Sequence, residues 1–483
     1  MNILLIYSTD NIDTAGKFLN HPGRMYFGHS YLSAFLKSHG YNVSLLVLSR
    51  MLGKKNYSLI DEYIAENKPN IIGYTAVASE YGFIAQMAKY SKNQYRDVYH
   101  ILGGVHATLN PEDVIKDDFD AVCIGEGEFP LLELADLLKE GKEITNIQNL
   151  WIKKDGIIER NQTRPYIEDL DILPFPDREI WDEWIDDTHD APYMILLGRG
   201  CPFQCTYCSN HALKKVTQGK YVRFRSVENI INEIKNIISI KPAKRKFYFE
   251  IDTILVNPTW VYELCDKLEE FNKTLEEPIT FGTNIRIIPN FDIKPIMDSL
   301  KKAGCTLINI GLESGSERVR IEILKRKYSN EMFLNTVSYA KEIGLQVFVY
   351  NMIGLPTETI EDINETIEIN RIAQPTMTRT SIFYPYKGTD LYNYCVENNL
   401  FSTSEKNFVE RTDSVLNMPQ ISRKQIIKNY IWFDYNVYKG IRSRPKYALQ
   451  AIIKSMIGKP YFIYLNRILS SKKIRGFIRR FLS

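Results

Sequence analysis

The stretch Gly198-Arg199-Gly200-Cys201-Pro202-Phe203-Gln204-Cys205-Thr206-Tyr207-Cys208 directly follows a short apolar run, Tyr193–Leu197. Its cysteines are spaced Cys-x3-Cys-x2-Cys, with an aromatic residue, Tyr207, before the last. Thiolates are soft ligands, and an iron–sulfur cluster that only passes electrons normally takes four of them. Three thiolates, from Cys201, Cys205 and Cys208, can hold three irons of a cubane and leave the fourth iron open to a substrate or cosubstrate. A tetrahedral zinc site is one alternative; it needs a fourth ligand, for which His211 is the nearby candidate. Three unrelated buried cysteines are another. A reactive loop directly after a strand suits a barrel, where the carboxyl ends of the strands carry the chemistry.

Five further runs of strand length follow: Phe247–Ile251, Ile279–Thr283, Thr306–Gly311, Leu345–Met352 and Thr380–Tyr384. Helix-like stretches separate them, so six strand–helix units predict a partial TIM-type barrel over residues 191–400. Residues 1–145 alternate in the same way. Strands are expected at Ile3–Tyr7, Asn42–Leu48, Ile71–Thr75, Tyr99–Leu102 and Ala121–Ile124, with helices at Tyr31–Ser38, Ile60–Glu66 and Tyr81–Tyr90. This pattern predicts a Rossmann-like, doubly wound parallel sheet whose ligands sit at the carboxyl ends of its strands. Thr75 and two glycine-rich turns, Gly103-Gly104-Val105-His106-Ala107-Thr108 and Gly125-Glu126-Gly127-Glu128, fall at those ends. Glycine there permits tight turns and close approach of backbone to a ligand. His106 can face such a ligand or stabilise the turn.

Residues 146–190, with Arg164-Pro165 and Leu173-Pro174-Phe175-Pro176, read as an extended linker, because proline disfavours helix and restricts the residue before it. The stretch 401–483 is helical in pattern and basic: from Arg423 onward about fifteen Lys and Arg face a single acid, Asp434. The whole chain is only +3, so the remainder is net acidic. A length of 483 residues calls for two or three domains. Seven cysteines form no extracellular framework, and Cys123, Cys265, Cys305 and Cys395 read as buried small apolar residues. No apolar run approaches the ~18 residues that cross a bilayer. The N-terminus begins with a strand rather than a leader, so a cytoplasmic protein is expected.

The cysteine motif resembles that of the radical S-adenosylmethionine (SAM) superfamily, in which the amine and carboxylate of SAM chelate the open iron of a 4Fe-4S cluster. Later motifs keep that family's order. Phe249-Glu250-Ile251-Asp252 stands where relatives have Phe-x-Asp-Asp, so Glu250 or Asp252 is implied as acceptor for the SAM ammonium. Arg286, after the third barrel strand, offers a fork for its carboxylate. Gly311-Leu312-Glu313-Ser314-Gly315-Ser316 implies Glu313 for the ribose hydroxyls, assisted by Ser314 and Ser316. Gly354-Leu355-Pro356-Thr357 and Tyr384-Pro385-Tyr386-Lys387 shape the adenine pocket in relatives, although Thr357 stands where glycine is common. Tyr207 belongs to the same set.

Residues 1–140 resemble the cobalamin-binding domain fused to many radical SAM enzymes (class B methyltransferase-like). Thr75, Gly103, Gly104, His106, Gly125, Glu126 and Gly127 are the positions implied for cobalamin. The Asp-x-His-x-x-Gly motif is absent, so no histidine from it can ligate cobalt from below. The resemblance implies methylation of an unactivated carbon, with a small-molecule or lipid-linked substrate and an electron donor such as flavodoxin or ferredoxin. Cyclisation, oxidation or epimerisation on the same domains is the alternative, and a non-enzymatic cobalamin sensor a more distant one. Radical methylthiotransferases need extra N-terminal cysteines, which Cys123 alone does not supply. The basic tail reads as a solvated face, a peripheral contact with the inner face of an anionic membrane, or, least favoured, a nucleic-acid contact.

Overall fold

The computed structural model of the chain describes residues 1–9, 12, 17–187, 191–402 and 410–456. They group into two units: Met1–Pro202 with Ser209–Asn236, and Phe203–Cys208 with the chain from Ile237 onward. The last 27 residues of the basic tail, 457–483, lie outside the described residues.

In the first unit, near-continuous Val, Ile and Leu runs need cover on both faces and so favour a buried parallel sheet. The strands are β1 (Asn2–Ser8), β2 (Asn42–Leu48), β3 (Ile71–Thr75), β4 (Tyr99–Gly103) and β5 (Ala121–Cys123). They run parallel in the order β2-β1-β3-β4-β5, with Ile3 opposite both Val43 and Ile71. Helices Phe27–Ser38, Lys55–Asn67 and Tyr81–Gln94 connect them. The order reverses between β1 and β3, and that switch point is where a doubly wound sheet opens a crevice.

The span expected as a wholly extended linker instead contributes two strands. β6 (Leu150–Lys154) and β7 (Ile157–Arg160) continue the sheet antiparallel to β5. Asp155-Gly156, at φ 51° and 78°, makes the hairpin turn; two residues at positive φ match the right-handed twist of the strands. Residues 161–167 beyond it have no regular structure. The predicted first barrel strand forms as β8 (Tyr193–Leu196), and β9 (Gly198–Arg199) pairs antiparallel with β10 (Arg223–Phe224).

The second unit holds β11 (Lys246–Glu250), β12 (Thr280–Ile285), β13 (Cys305–Glu313), β14 (Gln346–Ile353) and β15 (Met377–Ile382). Each pairs in parallel with the next, so sheet order equals chain order. Helices Pro258–Lys273, Lys294–Lys302, Asn330–Glu342 and Ile360–Ala373 make the crossovers. Right-handed crossovers that all advance in one direction curl a sheet toward a barrel. The last strand begins three residues before the predicted Thr380–Tyr384. Helix Arg423–Tyr438 buries Ile426, Tyr430, Phe433 and Val437 in one cluster with Ile353, Leu355, Ile363 and Ile382. Its start is fixed by a capping box between Ser422 and Gln425.

Inside the first unit, Glu233 is 1% exposed and takes both Arg178 (2.6 Å) and Arg225 (2.5 Å). Removing that carboxylate strands two guanidiniums out of water, which costs about 3–5 kcal/mol. We expect Glu233→Ala to lower the unfolding midpoint accordingly. Lys37→Ala, at a pair whose lysine is 41% exposed, should cost about 0–1 kcal/mol in the same urea titration.

Candidate functional site

Gly200 precedes the cysteine loop at φ 89°, and a Cβ there would lie 2.2 Å from the Tyr221 carbonyl oxygen, so only glycine lets the two backbones approach. Cys201 and Cys205 are buried and Cys208 is half-buried. The loop turns where Cys208 N–H donates to Cys205 O (3.1 Å). In the second unit it is anchored at Thr206, whose hydroxyl donates to Ile323 O (2.5 Å) and whose carbonyl accepts from Leu391 N–H (2.9 Å).

Next to that anchor, Tyr207 OH donates to Glu313 Oε1 (3.1 Å) and accepts from Arg326 Nη1 (3.2 Å). Burial, and then the Glu313 carboxylate, push the Tyr207 hydroxyl well above its ordinary range, so it remains a neutral donor. Glu313 sits at φ 65°, where the β13–β14 register shifts between Gly311 and Glu313. A non-glycine residue in the left-handed region persists only where its surroundings hold it. Arg326 supplies part of that hold by donating to Gly311 O (2.6 Å). The chain then enters a π-helical turn, Val319–Ile323, a form that is rare and concentrated at functional sites. Arg320, its second residue, is fully buried and donates to Ser314 O, Tyr328 O and Asn330 Oδ1.

The other predicted barrel residues also stand at strand ends. Glu250 closes β11 and accepts from Asn284 Nδ2 (3.3 Å); Asp252 follows, exposed. Asn284 Oδ1 accepts from Tyr248 OH (2.5 Å) and from Asn309 Nδ2 (3.2 Å), which extends the polar row across β11, β12 and β13. Burial, and then Asp252, raise the Glu250 carboxyl to about 7. Arg286 follows β12 and donates from Nη1 to Cys205 Sγ at 3.0 Å. Ser314 turns inward: its hydroxyl accepts from Ser316 N–H and lies 3.5 Å from Thr366 Oγ1. Thr357 adopts φ 64°, a backbone conformation that favours glycine. Glu358 beside it is fully buried, accepts from Leu355 N–H, and is raised to about 8 by burial.

The first unit has its own cavity of about 260 Å3 at the β1/β3 switch point. Its walls include Thr75, Gly103, Gly104, Gly125, Glu126 and Gly127. Gly104, at φ 89°, has no room for a side chain, since a Cβ would lie 2.4 Å from Thr75 Oγ1. Glu126 is committed within the protein: it accepts from Arg199 Nη1, Arg223 Nη1 and Ile167 N–H. Burial opposes its ionisation, but Arg199 and Arg223 hold it below the usual carboxylate range. His106 is not among the lining residues; its ring packs 4.3 Å from that of Tyr81. The lining instead includes His29, Tyr31 and Arg199, which sequence reasoning missed. His29 Nδ1 and Tyr31 OH are buried without a partner. Burial lowers His29 to about 4, so its ring is neutral. Only the placement of both residues on helix Phe27–Ser38, after the first strand, could have signalled them.

These observations test the expected cofactors. Three thiols within eight residues are the soft donor set of a cluster with one open iron. Among the described residues no three His, Cys, Asp or Glu side chains converge as a single ion requires. The glycine-walled cavity, with two unpartnered polar atoms, fits one arm of a corrinoid; it falls just short of the roughly 300–1,000 Å3 of ordinary small-molecule pockets. The four remaining cysteines, Cys123, Cys265, Cys305 and Cys395, are buried thiols pushed up to about 12 by burial.

The profile of the Radical SAM superfamily matches residues 195–369, and that of the B12 binding domain matches residues 26–135. An uncharacterised methyltransferase of Pyrococcus horikoshii is 28% identical over 88% of this chain and 90% of its own. The anaerobic magnesium-protoporphyrin IX monomethyl ester cyclase of Rubrivivax gelatinosus is 24% identical over 90% of this chain and 79% of its own. Among solved structures, the radical SAM methyltransferase TsrM from Kitasatospora setae, with cobalamin and a 4Fe-4S cluster bound, shares the fold. It aligns at TM-score 0.66 and 16% identity over 90% of this chain and 84% of that one.

Glu250 gives the site a pH signature. Its folded value, about 7, lies above the ordinary carboxylate value, so the folded state holds its proton more tightly. Stability therefore falls as pH rises from about 4.5 through about 7. In protein freed of SAM, Glu250→Gln should raise stability at pH 8 by up to about 3 kcal/mol, at 1.36 kcal/mol per unit, and leave it nearly unchanged at pH 4. Urea titrations at the two pH values measure the difference.

Proposed function

We propose that this chain, a radical SAM enzyme that carries a B12-binding domain and works with a 4Fe-4S cluster, SAM and cobalamin, transfers a methyl group to an unactivated carbon of its substrate. The observation that carries the reading is the presence of both domains on one chain, with the motif order of the first intact. When bound, the cluster supplies an electron that cleaves SAM to a 5′-deoxyadenosyl radical, and cobalamin supplies a transferable methyl group.

In this reading Cys201, Cys205 and Cys208 hold the cluster. Glu250 and Asp252 receive the SAM ammonium, Arg286 its carboxylate, and Glu313 its ribose hydroxyls. Tyr207 and Arg326 orient Glu313, and the polar row Tyr248–Asn284–Asn309 ties β11, β12 and β13 together beside Glu250. Thr75, Gly103, Gly104, Gly125 and Gly127 give backbone room for the corrinoid. Positioning of this kind, with exclusion of water and oxygen, is the protein's share of a radical reaction. A one-electron donor of flavodoxin or ferredoxin type supplies the reductant. The second reading, radical cyclisation or oxidation without methyl transfer, is favoured by the likeness to the cyclase.

Anaerobic incubation with SAM carrying a deuterated methyl group, a reductant and a small-molecule extract of the host separates the two. Methyl transfer gives a labelled product together with S-adenosylhomocysteine and 5′-deoxyadenosine, and needs cobalamin. Formation of 5′-deoxyadenosine alone, at the same rate with and without cobalamin, overturns the methylation reading.

Among the described residues no helix is long and apolar enough to cross a membrane. We further propose that the tail attaches the enzyme to an anionic membrane surface, because Lys and Arg interleave with Phe, Tyr, Leu and Ile over residues 457–483. Helix Arg444–Met456, which precedes this stretch, packs one face within the second unit, where Tyr447 stacks on Tyr438 (4.6 Å) and Lys454 pairs with Asp434 (2.7 Å). Deleting 457–483 should abolish flotation with anionic liposomes and leave iron content unchanged; flotation equal to wild type sinks the idea.

A further inference from the structure

Arg286 makes a contact that SAM recognition alone does not require. Its guanidinium lies 4.0 Å from the centre of the Phe203 ring, and its Nη1 donates to Cys205 Sγ at 3.0 Å. The stack fixes the plane of the fork, and the contact with Cys205 Sγ fixes its rotation. In a guanidinium the Nε–Nη2 edge is distinct from Nη1, and it can meet a carboxylate with two parallel hydrogen bonds. Here Nε is buried with no partner, so this edge lacks the acceptor that buried donors normally find.

We propose that Arg286 is a positioning residue that joins cosubstrate to cluster: Nη1 donates to the cluster ligand Cys205, and the Nε–Nη2 edge receives the methionyl carboxylate of SAM. The inference rests on the cluster and SAM assignments but not on methyl transfer. A hydrogen bond to a ligating sulfur and a permanent positive charge both favour the more negative, reduced cluster, and so raise its potential. The same residue then sets how readily the cluster is reduced and where SAM is held.

The test uses the anaerobically reconstituted full chain, with iron assayed, an EPR-monitored redox titration and equilibrium SAM binding. Arg286→Gln removes charge and fork together. It should keep its iron, make reduction at least tenfold less favourable (59 mV for one electron) and weaken SAM at least tenfold. Arg286→Lys keeps the charge without the fork. Its potential should stay within threefold of wild type while SAM again weakens at least tenfold. A merely structural arginine would not separate the two readouts.

An iron-replete Gln variant with unchanged potential, or a Lys variant with unchanged SAM affinity, overturns the proposal. If the Gln variant loses iron, the Lys variant decides alone. None of these readouts needs a methyl acceptor, so failure to find a methylated product would count against the proposed function and leave this result standing.

Discussion

A cubane with three protein thiolates has one iron whose coordination the protein leaves incomplete, and in the reading proposed above this shortfall governs the surroundings of the cysteine loop. Whatever completes the iron must be brought there by groups other than cysteine. In the proposed reading the second unit supplies them from the ends of parallel strands, which all open on one edge of the sheet: Glu250 from β11, Arg286 after β12, Glu313 from β13. A parallel sheet with its strands in chain order is a cheap way to collect residues more than sixty positions apart, because each crossover returns the chain to the same edge.

The groups at that edge are held by charge and burial together. Tyr207 stays protonated between a carboxylate and a guanidinium, and it links the loop that bears the thiols to the strand that bears Glu313. Arg320 and Arg326, both buried, tie down the strained turn between β13 and the next helix. Buried cations without tight carboxylate partners are expensive unless backbone carbonyls satisfy them, and here Gly311, Ser314 and Tyr328 provide those oxygens. The site is thus built on local strain that a network of hydrogen bonds keeps in place.

Much of this was legible in the sequence, because it depends on local spacing. The cysteine motif spans eight residues, and the strands announce themselves as short apolar runs. Thr357 already looked anomalous, and its positive φ explains why. The β6–β7 hairpin carried an Asp-Gly turn signal, but the prolines downstream drew the reading toward a linker. What spacing cannot show is contact between residues far apart in sequence. Glu126 meets Arg199 and Arg223 across 73 and 97 positions, so a residue in the cavity wall is also held by two guanidiniums that spacing could not bring to it. His29 and Tyr31 lie on a helix face whose cavity exists only once β1, β3 and β4 are aligned.

The path of the chain also has an architectural consequence. It leaves the first unit after Pro202, returns after Cys208 and leaves again after Asn236. The six residues of that brief excursion contain two of the three thiols, while Cys201 stays behind. A cut between Cys201 and Cys208 therefore divides the ligand set, whereas one between residues 135 and 195, outside both matched domains, leaves all three thiols on one piece.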